Sequence, residues 1–398
     1  MVELGLFGTG VMGQRHIKGL ARLRQVNRQR IELVGVCDLV PENAERAAAL
    51  AEQVLGKRPR IYPNFAAMRP DVSAITLTTM PNAHVALGIE ALAAGMHVLC
   101  EKPIALTVKQ GLRLIEAART ARRVLSVAEN YRRDPMNRLG KALLDAGVIG
   151  QPFLMTQSSS GSGENVVITP WRHLKKSCGI AVDMGVHYTD ILEYFLGPIA
   201  HVVGLNAVVD AQRKGNDGTL HPADAEDLTA GTVQFASGAI GQYLLNMAGR
   251  GEGHFVRMIY GTGGTLKLPP DRSGQPVQVV QRVNGKDVAV PENELLTRVP
   301  SFRLDDATAA LFGGHQLTSY QMDWAEIDAS LIAIEYDDLA NAILNGQEPE
   351  VNGEQGNRSL ALMYGFLESQ RLGRMVSADE LVSGRVSGYQ DELESEDV

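Results

Sequence analysis

The chain has 398 residues, 44% of them hydrophobic and 21% charged, with a formal net charge of −8. That length exceeds one ordinary core and predicts two domains; the apolar share excludes extensive disorder, and the acidic balance argues against a nucleic-acid backbone as partner. Three cysteines, Cys37, Cys100 and Cys178, lie far apart without metal-ligand spacing, so neither a disulfide framework nor a metal site is expected, and no run reaches the roughly 20 apolar residues of a membrane helix.

The chain opens on an apolar run, Val2 to Phe7, that reads as a strand and not as a leader peptide. Cytoplasm is the expected location. Further buried-type strands are predicted at 31–37, 74–78, 97–100 and 124–128, alternating with helical spacing from Gly13, from Glu42, over 82–95 and over 107–122. Such alternation predicts a doubly wound parallel sheet, an α/β Rossmann domain over residues 1–130. Arg22, Arg24, Arg28 and Arg30 read as the solvated end of the first helix.

Beyond Tyr131 the rhythm changes. A helix at 136–146, a strand-like run and a helix at 181–196 precede long strand patterns at 202–209, 228–235, 239–246, 255–260, 264–268 and 277–283. These predict an α+β domain over 131–390 with a large, mostly antiparallel, open-faced sheet. The polar stretch 213–224 reads as a surface loop, and Ser158 to Gly163 as a flexible, hydroxyl-rich loop that could order over a ligand. Helices return near 329–344 and 358–372, and 391–398 reads as an acidic tail that frays in solvent.

Gly8-Thr9-Gly10-Val11-Met12-Gly13 follows the first strand directly and opens a helix, the context a GxGxxG pattern needs before it signals a dinucleotide. Gly8 permits the turn, Gly10 admits the diphosphate, and Gly13 lets the helix approach the strand. Asp38, closing the second strand, can accept from a ribose 2′-hydroxyl and would repel a 2′-phosphate, while Leu39 and Val40 supply no cation. NAD is therefore expected over NADP. A helix cap is the alternative role for Asp38.

Two later stretches carry more: Thr78-Thr79-Met80-Pro81-Asn82-Ala83-His84 and Gly95-Met96-His97-Val98-Leu99-Cys100-Glu101-Lys102-Pro103. With Asn130-Tyr131-Arg132-Arg133, Trp171-Arg172 and Asp183-Met184-Gly185-Val186-His187, they make the chain resemble the Gfo/Idh/MocA oxidoreductases along nearly its whole length. The resemblance implies catalytic roles for Lys102, Asp183 and His187, with a cis peptide before Pro103. It also implies that Thr79, His84, Glu101, Lys102, Asn130, Trp171 and Arg172 join Gly8, Thr9, Gly10, Val11, Met12 and Asp38 around the cofactor. Met80 departs from the family pattern, which has proline directly after the threonine. Cys178 replaces a glycine of the family's approach to the Asp-x-x-x-His helix.

The expected activity is oxidation of a secondary alcohol of a sugar or polyol. His187 takes the hydroxyl proton or shares it with Lys102, which hydrogen-bonds the same oxygen, and Asp183 contacts substrate or orients the pair. Arg172, Lys175 and Lys176 form a cationic group that either greets an anionic substrate or is solvated. Two rivals stay open: a glycosidase that oxidises its substrate transiently with tightly held NAD, and a non-catalytic sugar sensor. A homodimer or homotetramer, paired through the open sheet face, is expected from the resemblance.

Overall fold

The computed structural model describes residues 1–395. Among the described residues, β1 (Val2–Phe7), β2 (Ile31–Cys37), β3 (Arg60–Ile61), β4 (Ala74–Leu77), β5 (His97–Glu101) and β6 (Leu125–Ala128) form one parallel sheet. Its order is β3-β2-β1-β4-β5-β6, the doubly wound order whose reversal beside β1 and β4 opens a crevice at the strand C-termini. Every residue of β4 and β6 is buried, as a parallel sheet covered on both faces requires. The helices Val11–Gln25, Pro41–Leu55, Pro81–Ala93 and Val108–Ala121 lie where their apolar spacing placed them. Of its strands, β3, two exposed residues at the edge, had no sequence signal, and neither did the short helix Phe65–Met68.

Among the described residues, the second unit is built on a nine-stranded sheet in the order β16-β15-β14-β13-β7-β12-β11-β8-β17. These are β7 (Pro152–Ser162), β8 (Ile199–Ala207), β11 (Leu228–Phe235), β12 (Ile240–Gly249), β13 (His254–Gly261), β14 (Gly264–Leu268), β15 (Gln278–Val283), β16 (Lys286–Val290) and β17 (Val376–Ser377). All neighbours run antiparallel except β7 and β12. One face packs on the helices Gly179–Leu196 and Gly353–Leu372: Val202, Val233, Tyr243 and Leu245 are buried there. The other face carries Leu205, Ala230 and Leu244 in register, and neither Leu205 nor Ile240 is covered.

Several expectations change. Residues 213–224 are not a plain loop: β9 (Gln212–Lys214) and β10 (Leu220–Pro222) form a hairpin that seats Arg213 in the interior, paired with Asp227. Segment 158–163 is no flexible loop but mostly the end of β7, with Ser158 Oγ 2.6 Å from His254 Nε2. The acidic end is helical over Gly388–Ser395, held by Lys109–Asp391 and Arg371–Glu392 ion pairs. Cations on neighbouring helices thus claim Asp391 and Glu392, while 396–398 lie outside the described residues.

The arginines in and just after the first helix are not simply solvated either. Arg22 pairs with Glu326, and Arg28 and Arg30 converge on Asp337, while Arg24 alone stays exposed. Their partners lie on the helix Trp324–Asn345, which is capped by Asp323 and packs along Val11–Gln25. Among the described residues, no helix is long and apolar enough to cross a membrane, and no His, Cys, Asp or Glu group could hold a metal ion.

Candidate active site

Past Phe7 the backbone turns through Gly8 with φ of +85°, and a Cβ there would lie 2.7 Å from the Thr79 amide nitrogen. A Cβ on Gly13 would lie 2.3 Å from the Gly8 carbonyl oxygen. Only glycine fits either position. At Gly10 an added Cβ meets nothing within 4 Å, and no side chain caps the helix Val11–Gln25. The turn thus faces open space with uncommitted amides at a helix N-terminus, which suits a diphosphate. Val11, at the helix start, and Leu39, Val40 and Met80, on the neighbouring loops, are exposed apolar residues around this turn.

Asp38 lies across the turn. Its Oδ2 accepts from the Thr9 amide (2.6 Å) and hydroxyl (3.1 Å), and its Oδ1 from the Val40 amide (2.8 Å) and Asn43 Nδ2 (3.3 Å). The carboxylate thus closes β2 and ties down the loop that leads into Pro41–Leu55, although the N-cap of that helix is Val40, with no side-chain cap.

At the end of β5 the Lys102–Pro103 peptide is cis. Glu101 is buried; its Oε1 meets His16 Nε2 at 2.9 Å and its Oε2 accepts from the Lys102 amide at 3.0 Å. Burial alone would raise the Glu101 pKa, but the His16 bond and the charges of Lys102 and Arg15 prevail and hold it at about 2. His16 continues to the Tyr336 hydroxyl at 2.9 Å. His84, also buried, spans two carbonyls, Pro103 O at 3.0 Å and Thr79 O at 3.1 Å. It therefore pins Pro103, while Thr79 Oγ1 is buried without a partner.

Lys102 reaches across to the helix Gly179–Leu196. Its Nζ donates to the Asp183 carbonyl oxygen (2.9 Å) and Oδ1 (3.1 Å), and Arg172 Nη1 pairs with Asp183 Oδ2. Burial would raise the Asp183 pKa, yet the two cations hold it below the ordinary carboxylate range. One turn along, His187 presents Nδ1 to both oxygens of Glu129, at 2.8 and 2.7 Å, and its ring stacks on Tyr131 with centroids 4.1 Å apart. Burial, then the charges of Lys102 and Arg272, push His187 well below the usual histidine value. Burial raises Glu129 to about 7 against the Tyr131 amide, Lys102 and Arg132.

Lys102, Asp183 and Arg172 thus meet directly, and His187 lies on the same helix face as Asp183. Trp171 joins through Arg172, whose guanidinium lies 5.0 Å from the indole centroid. Asn130 accepts from Arg272 Nη2 at 2.9 Å. The expected cationic group separates: Arg172 points inward, Lys176 is exposed, and Lys175 pairs with Glu392 and caps the Tyr389 ring at 4.1 Å. Cys178 is buried with φ of +86°, the conformation its glycine counterpart would take without strain. Glu129, His16 and Arg272 escaped the sequence reading. Position could have found Glu129, which directly follows a parallel strand's C-terminus, where ligand crevices form.

Comparison with known proteins bears on the family and the fold. The description "Oxidoreductase family, NAD-binding Rossmann fold" matches residues 2–129, and "Oxidoreductase family, C-terminal alpha/beta domain" matches 141–378. Inositol 2-dehydrogenase 3 of Saccharopolyspora erythraea is 30% identical over 280 residues, spanning 69% of this chain and 75% of that one. Levoglucosan dehydrogenase of Pseudarthrobacter phenanthrenivorans is 25% identical over 289 residues, 68% and 74% of the two chains. A solved levoglucosan dehydrogenase in complex with NADH and L-sorbose gives a TM-score of 0.79 at 21% identity, covering 96% of this chain and all of that one, a likeness of fold. Both halves of the fold carry the same family's signature, and their meeting point gathers the motif residues: the chain belongs to the Gfo/Idh/MocA oxidoreductases.

Proposed function

We propose that this oxidoreductase is an NAD-dependent dehydrogenase that oxidises a secondary alcohol of a sugar, polyol or sugar derivative. The observation that carries the reading is the Lys102–Asp183–Arg172 cluster with His187 one turn away, set between a diphosphate-ready turn and a second, open sheet. Bound NAD supplies the hydride acceptor. Lys102 Nζ donates to the substrate oxygen and offsets its growing negative charge, and His187 Nε2, the ring nitrogen turned away from Glu129, takes the hydroxyl proton. Asp183 holds Lys102 and Arg172 in place.

Gly8, Thr9, Gly10, Val11, Met12 and Asp38 would hold the dinucleotide from the first unit, with Thr79, His84, Glu101 and Asn130 shaping the strand ends and Trp171 and Arg172 closing from the second. Asp38 without a neighbouring cation at Leu39 or Val40 favours NAD over NADP. In this reading residues 1–130 bind the cofactor, and 131–390 hold substrate and pair subunits through the uncovered sheet face of Leu205 and Ile240. Three free, buried cysteines suit a reducing cytoplasm. The relatives' names, inositol and levoglucosan dehydrogenases, support a carbohydrate substrate.

The test mixes protein and NAD with polyols, sugars, uronates and glycosides while following NADH absorbance and glycoside cleavage. NADH formation that Lys102→Met abolishes, with NADH binding retained, is the expected result. Glycoside cleavage without net NADH would replace the dehydrogenase with the redox-neutral glycosidase.

A further inference from the structure

We propose that Glu129 is a positioning residue for the oxidation proposed above, holding His187 as the Nδ1–H tautomer so that Nε2 faces substrate as a bare proton acceptor. The inference rests on the dehydrogenase reading for its kinetic consequence but not for its geometry. Both carboxylate oxygens lie within 2.8 Å of Nδ1, both residues are buried, and Tyr131 stacks on the imidazole with an interplanar angle of 6°. The ring can neither swing away nor find another partner for Nδ1. A carboxylate only accepts, so Nδ1 must donate, and the hydrogen bond at one ring nitrogen fixes the state of the other.

Glu129 is itself held. It follows β6 in the cofactor unit, whereas His187 stands on the second unit's helix, so the bond spans both sheets. The Tyr131 amide donates to Glu129 Oε1 at 3.0 Å, and Arg133 Nε donates to its backbone carbonyl at 3.1 Å. The charged groups around the pair are Lys102 and Glu101 from β5 and its end, Arg132 from the turn after β6, Asp183 and Asp190 from the catalytic helix, Arg272 from the loop after β14, and Glu335 from Trp324–Asn345.

Proton counting gives the pair a signature. With the carboxylate charged and the imidazole neutral, Nε2 is bare. Adding one proton places hydrogen on Nε2 whichever group takes it: either the imidazolium forms, or protonated Glu129 donates to Nδ1 and the tautomer flips. Oxidation therefore requires the pair without that proton. Burial puts Glu129 at about 7, so the acid limb of the wild-type oxidation profile falls near neutrality. Without a titrating carboxylate the limb follows His187 alone, which burial and the charges of Lys102 and Arg272 push down, and it moves to lower pH.

Nitrogen-15 NMR of histidine-labelled protein with NADH bound, the His187 signal assigned by its loss in His187→Gln, tests the tautomer at mildly alkaline pH. The wild type should show Nδ1–H and a bare Nε2, and Glu129→Leu should populate Nε2–H. A wild-type Nε2–H signal, or no change in the variant, overturns the proposal. In kinetics, Glu129→Leu should lower kcat by about 100-fold or more, within the range of general-base effects, with KM and NADH affinity nearly unchanged. The near-isosteric Glu129→Gln, which guards against misfolding, should retain more activity and shift the acid limb downward; wild-type kcat and an unmoved limb would overturn the proposal. If the wild type oxidises no alcohol, the dehydrogenase reading fails, and the NMR result still decides the tautomer.

Discussion

Asp183→Asn should damage stability and turnover together while sparing cofactor binding. The Asp183 side chain is 2% exposed, and those of its two cations, Lys102 and Arg172, are 12% and 7% exposed. Removing one member of a buried ion pair costs about 3–5 kcal/mol because the other charge stays behind. Asparagine keeps the shape and one acceptor oxygen, and Lys102 keeps the Asp183 backbone carbonyl, so a loss of about 2–3 kcal/mol is expected. That corresponds to roughly 5–10 °C in Tm for a unit of this size. The native Asp183 pKa lies below its unfolded value, so its contribution is complete above the ordinary carboxylate range and disappears as pH falls through the lowered folded value. The variant's deficit should be full at neutral pH and close in strong acid. Thermal unfolding monitored by circular dichroism across pH, turnover with the best alcohol and NADH fluorescence titration would measure all three effects. A Tm within about 1 °C of wild type at neutral pH, where roughly 5–10 °C is expected, would refute the buried-cluster reasoning.

Gly13→Ala places a Cβ 2.3 Å from a backbone oxygen; the turn must shift, and NADH affinity measured by fluorescence should fall about tenfold, worth some 1.4 kcal/mol. The wild type should use NAD in strong preference to NADP, and Asp38→Ala with Leu39→Arg should narrow the kcat/KM ratio by removing a repulsion and adding a phosphate partner; an unchanged ratio would remove Asp38 from cofactor choice. Light scattering should give a dimer or tetramer that Leu205→Glu weakens, since Leu205 is 72% exposed on the open sheet face; a wild-type monomer would remove the subunit-pairing role.

What could be read from the chain alone was what short-range chemistry decides. The glycine turn, the Lys102–Pro103 segment and the Asp183–His187 spacing depend on neighbours within a few residues, and the structure places each on the element expected. Long-range pairing was not legible. Nothing local to Glu129 indicates that a histidine 58 residues later will close on it. Arg213 sits in a polar, glycine-containing stretch that has the composition of a loop, and Asp227, Asp210 and the Gly163 and Met247 carbonyls make its burial tolerable. Arg28 and Arg30 likewise look solvent-bound until Asp337 arrives from more than 300 residues away. A charge reads as surface in sequence because its counter-charge is usually invisible there.

The helix Trp324–Asn345 carries the counter-charges for the first helix, and the Val351 carbonyl accepts from the Val127 amide beside the last strand of the parallel sheet. A nascent chain emerging from a ribosome therefore presents the whole parallel sheet before its cover exists. At about 5–20 residues per second, the roughly 200 residues that follow take on the order of 10–40 seconds to synthesise. Throughout that interval Arg15, Arg22, Arg28 and Arg30 face water without the acids they bind in the finished molecule. The cofactor half thus completes its surface only once the helix Trp324–Asn345 has been made.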